Sequence, residues 1–195
     1  DIQYRADVAE EIARIYGYNN IPTTKLHGAA EAKITPYQAF EKRVNTVLLA
    51  QGLSEISTYS FISPKYYDKI RLPADSPLRR SVTITNPLGE DTSVMRTTTI
   101  PSVLEVLSRN FNNRNESAWM YEVANEYIPT TDGELPIEKQ AVTIGMYGNK
   151  VDFYRLKGIV ETLLDALNIT GWEIRPEKNL PTYHPGRCGV LSIDG

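Results

Sequence analysis

The sequence predicts an α+β fold, an antiparallel sheet flanked by helices. Three observations predict it. Helical and strand periods come in runs, with pairs of helices separated by several strands, and not in the strict alternation of a doubly wound sheet. The 195 residues are 41% apolar, and a chain of this size buries about 70% of its unfolded surface, enough for one core. Cys188 is the single cysteine and there are two His, so disulfide-framework and zinc-ribbon architectures are excluded.

Taken in order, Asp1–Arg5 is a short extended stretch, and the first helix spans about Ala6 to Tyr16. Val8, Ile12, Ile15 and Tyr16 share one helical face there, and Gly17 ends it. The following Tyr18–Thr24 is turn-rich and without a period, which places a linker and a domain boundary near Pro22. The second helix carries full punctuation: Thr35 as N-cap, Pro36 at its first position, Gln38 completing a capping box, and Gly52 just past its end. Its expected buried stripe is Phe40, Val44, Val47 and Leu48. From Gly52 the period becomes that of a strand, through about Phe61. Ser63-Pro64 then opens a short helix holding Tyr66 and Tyr67, and Ile70–Arg80 reads as loop.

Val82–Thr85 reads as a strand stopped by Asn86-Pro87, and Thr92–Thr97 as another. A helix from about Pro101 to Phe111 puts Ile100, Leu104, Leu107 and Phe111 on one face. Ser117–Val123 alternates Trp119, Tyr121 and Val123 with Ala118, Met120 and Glu122, the pattern of a half-buried strand. Val142, Ile144 and Met146 repeat it after the polar loop Thr130–Pro136. Asp152 caps the most strongly patterned helix, with a stripe of Phe153, Leu156, Val160, Leu163 and Leu167. Trp172–Arg175 and Gly189–Ile193 are the last strands. The absence of an initiator Met, and an ending in what reads as a strand entering a turn, suggest a piece of a longer chain.

Charge and hydropathy exclude several functions. No run approaches the roughly 18 apolar residues of a membrane span, and the N-terminus lacks the basic and apolar parts of a signal peptide. The expected compartment is the cytoplasm. Residues 60–115 carry eight Lys or Arg against five acids, while the whole chain is at −3 with a pI near 5.5. That is far from the basic stripe and pI above about 9 of a nucleic-acid groove. The glycines fit neither a P-loop nor a dinucleotide-binding turn, and no G-x-S-x-G elbow occurs. Cys188 lies four residues after His184 in a loop, but no third residue orients them as a nucleophile pair.

Two clusters remain. Asp7, Glu10 and Glu11 fall at i, i+3 and i+4 on one helical face, with Asp1 one extended segment away. Hard oxygen ligands of this kind suit magnesium or calcium. The alternative is a solvated face, since acids are favoured at helix N-termini and Arg14 is placed to pair with Glu10 or Glu11. Arg96, Arg109 and Arg114 are candidates for an anion site, although nothing in their spacing requires it.

Whole strings say more. Asp7-Val-Ala-Glu-Glu-Ile-Ala-Arg-Ile-Tyr-Gly-Tyr-Asn-Asn-Ile-Pro22, Asn86-Pro87-Leu88 followed by Ser93-Val94-Met95-Arg96-Thr97 and Pro101, Tyr121-Glu122-Val123, Asp152-Phe153-Tyr154-x-Leu156-Lys157-Gly158 and His184-Pro185-Gly186-Arg187 occur in this order. In that order they resemble the phenylalanyl-tRNA synthetase beta subunit family of the bacterial type, over nearly the whole chain. The resemblance implies residues 1–21 as the last helix of a preceding small domain plus the start of a linker, and 22–195 as a class II synthetase-like core. It implies an alpha subunit as partner in an α2β2 ligase, with ATP and phenylalanine bound by alpha and tRNA(Phe) by the assembly.

It further implies a core without catalytic residues. The class II arginine that grips the α-phosphate, where charge builds in the transition state, falls at Ile128. A magnesium ion shared with alpha is implied at Asp1, Asp7, Glu10 and Glu11. Asn125 departs from the family's usual Arg or Lys, and Cys188 from a small residue. Exposed tyrosines such as Tyr66, Tyr67 and Tyr154 are candidate interface anchors, and Arg79 and Arg80 candidate tRNA contacts. The rival functions are a stand-alone ATP-dependent adenylate-forming enzyme and a metal- or RNA-binding module.

Overall fold

A computed structural model describes residues 2–25, 27–28, 32–131 and 134–193. The chain divides into two compact units, Asp1–Thr35 and Pro36–Gly195, each described by itself. In the first, α1 (Arg5–Tyr16) begins where the Asp7 carboxylate accepts the amides of Gln3 and Tyr4, at 2.7 and 2.8 Å. It ends at Gly17, whose φ of 95° lies in the region that favours glycine, and whose amide bonds the carbonyl of Ala13. A 3-10 helix, Tyr18–Asn20, follows. No residue of α1 is buried.

The second unit is built on a three-stranded sheet in the order β1-β4-β5, where β1 is Ser54–Glu55, β4 Ala118–Ile128 and β5 Ile137–Tyr147. β4 and β5 form an antiparallel hairpin from Ala118 opposite Tyr147 to Ile128 opposite Ile137. β1 lies parallel to β4, the one parallel pairing among the described strands. Alternation along β4 sends side chains to opposite faces. Trp119, Tyr121 and Val123 pack with Val44 and Leu48 of α2 (Pro36–Ala50) and Ile159 of α5 (Phe153–Ala166). Ala118 and Met120 pack with Val103 and Leu107 of α4 (Ile100–Asn112). Helices therefore cover both faces.

Gly145 makes the second contact possible. A Cβ there would sit 2.5 Å from Leu107 Cδ1 and 2.8 Å from Val103 Cγ1. The close approach sets the rotation of α4, whose buried residues are Pro101, Ser102, Val103 and Leu107. This corrects the expected face: Leu104 and Phe111 are exposed, and Phe111 reaches only an edge-on contact with Tyr147. Two other stripes shift similarly. Phe40 is exposed on α2, and on α5 the buried residues are Ile159 and Leu164, with Leu163 and Leu167 half-buried and Leu156 exposed. The Asp152 cap is present, accepting the Arg155 amide at 2.7 Å.

The expected strand from Gly52 to Phe61 is divided. β1 stops at Glu55, and β2 (Phe61–Ile62) pairs with β3 (Val94–Met95) in a separate antiparallel ribbon. The intervening residues leave the sheet because Thr58 turns to bond Glu122 and the Ser60 carbonyl accepts the Arg96 amide. Val82–Thr85 is not a full strand. It runs beside β3 through Ile84 N to Ser93 O, Met95 N to Val82 O, and one bridge at Thr83. The short helix α3 (Tyr66–Lys69) lies on this ribbon, with Tyr67 buried against Ile62 and Val94. β6 (Trp172–Pro176) and β7 (Gly189–Ile193) form a third, antiparallel pair. Among the described residues no helix is long and apolar enough to cross a membrane.

Candidate functional site

The acids of α1 have been given different tasks. Asp7 Oδ2 is occupied by two backbone amides, and those bonds, Tyr4 first and then Gln3, hold its carboxyl below the usual aspartate range. Glu11 pairs with Arg14 at 2.5 Å on the surface. Glu10 is exposed on the next turn, and Asp1 lies outside the described residues. Their chemistry suits a hard divalent cation. Their placement does not by itself supply one: among the described residues no three His, Cys, Asp or Glu stand close enough to hold a metal ion.

The three arginines do not form one anion site. Arg96 is 2% exposed, and two of its guanidinium nitrogens are bonded. Its Nε donates to the Asn125 carbonyl at 3.0 Å, its Nη1 donates to Thr58 Oγ1 at 2.8 Å, and the same nitrogen lies 3.5 Å from Glu122. Glu122, also 2% exposed, accepts the Thr58 amide at 2.7 Å and the Thr58 hydroxyl at 2.9 Å. A guanidinium and a carboxylate are thus buried together with Thr58 between them, the arrangement a buried charge requires. Arg109 is an exposed residue near the end of α4, and Arg114 lies in the turn after it, with a φ of 62°.

Two motifs distant in sequence, Met95-Arg96-Thr97 and Tyr121-Glu122-Val123, meet in this network. Thr58 completes it, and no sequence signal marked that residue. Asn125 contributes through its carbonyl, which any residue would present, while its side chain bonds Glu138 at 2.8 Å. The departure at 125 therefore leaves the network intact. Beside Glu122, the Tyr121 hydroxyl is fully buried with no partner among the described residues, and burial, then the nearby Glu55, pushes its pKa up.

At the far end of β4, Ile128 faces Ile137 in register. An apolar pair occupies the place where a phosphate-gripping arginine is expected. His184 Nδ1 accepts the Gly186 amide at 3.1 Å and shapes its own turn, leaving Cys188 without a hydrogen bond from it among the described residues. The loop Gly186–Gly189 joins Asp152, Phe153 and Tyr154 around a cavity of about 540 Å³. Arg79 donates to the carbonyls of Leu72 and Pro73 and pairs with Asp68 at 2.7 Å, so it braces a loop, whereas Arg80 is exposed. Of the three candidate tyrosines Tyr67 is buried and bonded to Ser81 and Thr97, Tyr66 is half-buried, and Tyr154 is 77% exposed.

A hairpin of long antiparallel strands, a parallel edge strand and helices on both faces define a class II aminoacyl-tRNA synthetase-like fold. Two structures of pyrrolysyl-tRNA synthetase from Desulfitobacterium hafniense share it, with TM-scores of 0.60 and 0.58 over 90% and 89% of this chain and 58% and 55% of theirs. Their identities of 14% and 13% speak for the fold alone. The family follows from sequence. The model of the phenylalanyl tRNA synthetase beta chain CLM domain matches residues 21–195, and the chain belongs to that family. Phenylalanine–tRNA ligase beta subunits of Clostridium tetani and Clostridium acetobutylicum are 48% and 47% identical over 100% and 99% of the chain. The chain spans about a quarter of the length of these relatives, 25% and 24%.

Proposed function

We propose that the chain serves as a non-catalytic, structural and interface part of the beta subunit of phenylalanine–tRNA ligase, a cytoplasmic α2β2 enzyme that attaches phenylalanine to tRNA(Phe) with ATP. Membership of the family supports the assignment to the subunit. One observation carries the non-catalytic half: Ile128, with Ile137 opposite, offers no cation to a phosphate. Electrostatic stabilisation of that kind is normally the largest single contribution to such catalysis. ATP and phenylalanine accordingly belong to the alpha subunit. This chain supplies a braced sheet and surface for assembly, with Tyr154 as an anchor of the amphipathic type interfaces favour. Of the candidates Arg79 and Arg80, it is Arg80 that stays exposed to approach tRNA.

Magnesium belongs to the same proposal, in the assembled enzyme only. Asp7, Glu10 and Glu11, with Asp1, would hold it on the face of α1. Magnesium demands near-octahedral oxygen ligation and loses water reluctantly, so acids on an exposed helix hold it weakly until a partner contributes ligands and excludes solvent. The test is co-purification with the alpha subunit across a magnesium titration. Replacing Glu10 and Glu11 by Gln should leave the fold intact and weaken the magnesium-dependent part of assembly. Unaltered assembly with unaltered magnesium dependence would make these acids a solvated face.

A further inference from the structure

A second cavity, of about 620 Å³, adjoins the Arg96 network through Thr58 and has no part in the ligase reading. It lies between residues 57–62, α4 and the 3-10 helix Glu90–Thr92. Its lining from α4 is Ser102, Glu105, Val106 and Arg109, positions i, i+3, i+4 and i+7, so one complete helical face is turned to it. Phe61 and Tyr66 give it aromatic walls, Ile62 and Val106 an apolar lining, and Asp91 of the 3-10 helix an acid whose charge interacts with Lys65.

Three features make this a built site. Ser102 is 5% exposed, and its hydroxyl is buried without a hydrogen-bond partner among the described residues. Buried polar groups in folded proteins are nearly always paired, so a hydroxyl in this position calls for a ligand atom or a water. Lys69 stands 4.4 Å over the Tyr66 ring and bonds Glu105 at 3.3 Å, fixing the aromatic wall and answering the Glu105 charge. Arg109 lines the cavity with no ion pair or side-chain hydrogen bond among the described residues. Seven residue steps along the helix separate Ser102 from Arg109, about 10 Å at the α-helical rise.

We propose that this cavity binds a small aromatic carboxylate with a polar atom at its other end. The guanidinium of Arg109 takes the carboxylate in a charge-assisted, bidentate hydrogen bond. The ring lies between Phe61 and Tyr66 over Val106, and the Ser102 hydroxyl bonds the distal polar atom. The site is independent of ATP, tRNA and the acids of α1.

The test uses the complete beta subunit, alone and assembled with alpha, and 4-hydroxycinnamate as probe, followed by saturation-transfer NMR and calorimetry. Cinnamate, which lacks the distal hydroxyl, and 4-ethylphenol, which lacks the carboxylate, are the controls. The expected result is binding of the probe to both forms, with Arg109→Gln weakening it about tenfold or more, the scale of one charge-assisted hydrogen bond. Ser102→Ala should reduce the probe to the affinity of cinnamate and leave cinnamate unchanged. Arg109 is exposed, so its variant keeps the fold and decides the matter even if Ser102→Ala unfolds. No saturation transfer, equal binding by Arg109→Gln, or 4-ethylphenol matching the probe would overturn the proposal. So would binding that vanishes on assembly, which would make the cavity a subunit contact.

Discussion

Glu122 faces Arg96 at 3.5 Å and accepts both the amide and the hydroxyl of Thr58, with both charged side chains 2% exposed. Its removal strands a buried guanidinium, so Glu122→Ala should cost about 3–5 kcal/mol, whereas replacing Arg96 and Glu122 together by apolar residues of similar volume should cost far less. Urea titration of the two variants checks this, and a loss under about 1 kcal/mol for the single change would remove the network as a brace. Both residues stood out in the sequence inside short motifs. Their meeting did not, because it depends on Thr58 leaving the sheet, which no periodicity encodes. Asp7 gives a pH prediction at the same scale. Its folded pKa lies below the ordinary 3.8, so its hydrogen bonds contribute fully above that value and are lost as the pH falls through the lower folded value. The amide signals of Gln3 and Tyr4 should therefore hold steady down to about the usual aspartate range and shift only below it. A midpoint at or above the ordinary value would show that the two amides do not hold this carboxylate.

At the scale of elements, existence was legible and orientation was not. Caps and breakers such as Pro36, Gly17 and Asp152 mark helix ends locally, and the observed helices begin or end beside them. Which face of α4 is buried was decided by Gly145, on a strand remote in sequence, where the missing side chain admits Val103 and Leu107. A helical wheel contains no such information, and it therefore favoured Leu104 and Phe111. The same holds for the strand expected from Gly52 to Phe61, which side-chain bonds at Thr58 divide. Gly145→Ala should cost about 1–3 kcal/mol by overpacking. Combining it with Leu107→Ala should cost less than the sum of the two single changes, since the Leu107 methyl is the nearer of the two side-chain atoms in the way. Additive losses, read by thermal or urea denaturation, would mean that α4 does not rest on this glycine.

At the scale of the whole molecule, composition spoke against a zinc ribbon and a disulfide framework, glycine spacing against nucleotide loops, and five ordered motifs pointed to a family that the match over residues 21–195 confirms. The acids of α1 could be read as a cluster from their spacing, but spacing does not reveal that Asp7 is occupied by the amides of Gln3 and Tyr4 and Glu11 by Arg14. The cavity beside Ser102 left no trace in the sequence, because its walls come from three separate segments. The central claim is that this synthetase-like core takes no part in activating phenylalanine. ATP–pyrophosphate exchange with phenylalanine tests it most directly, measured with the chain alone and with the alpha subunit present. The account predicts background exchange for the chain and exchange only when alpha is added; phenylalanine-dependent exchange by the chain itself would contradict it.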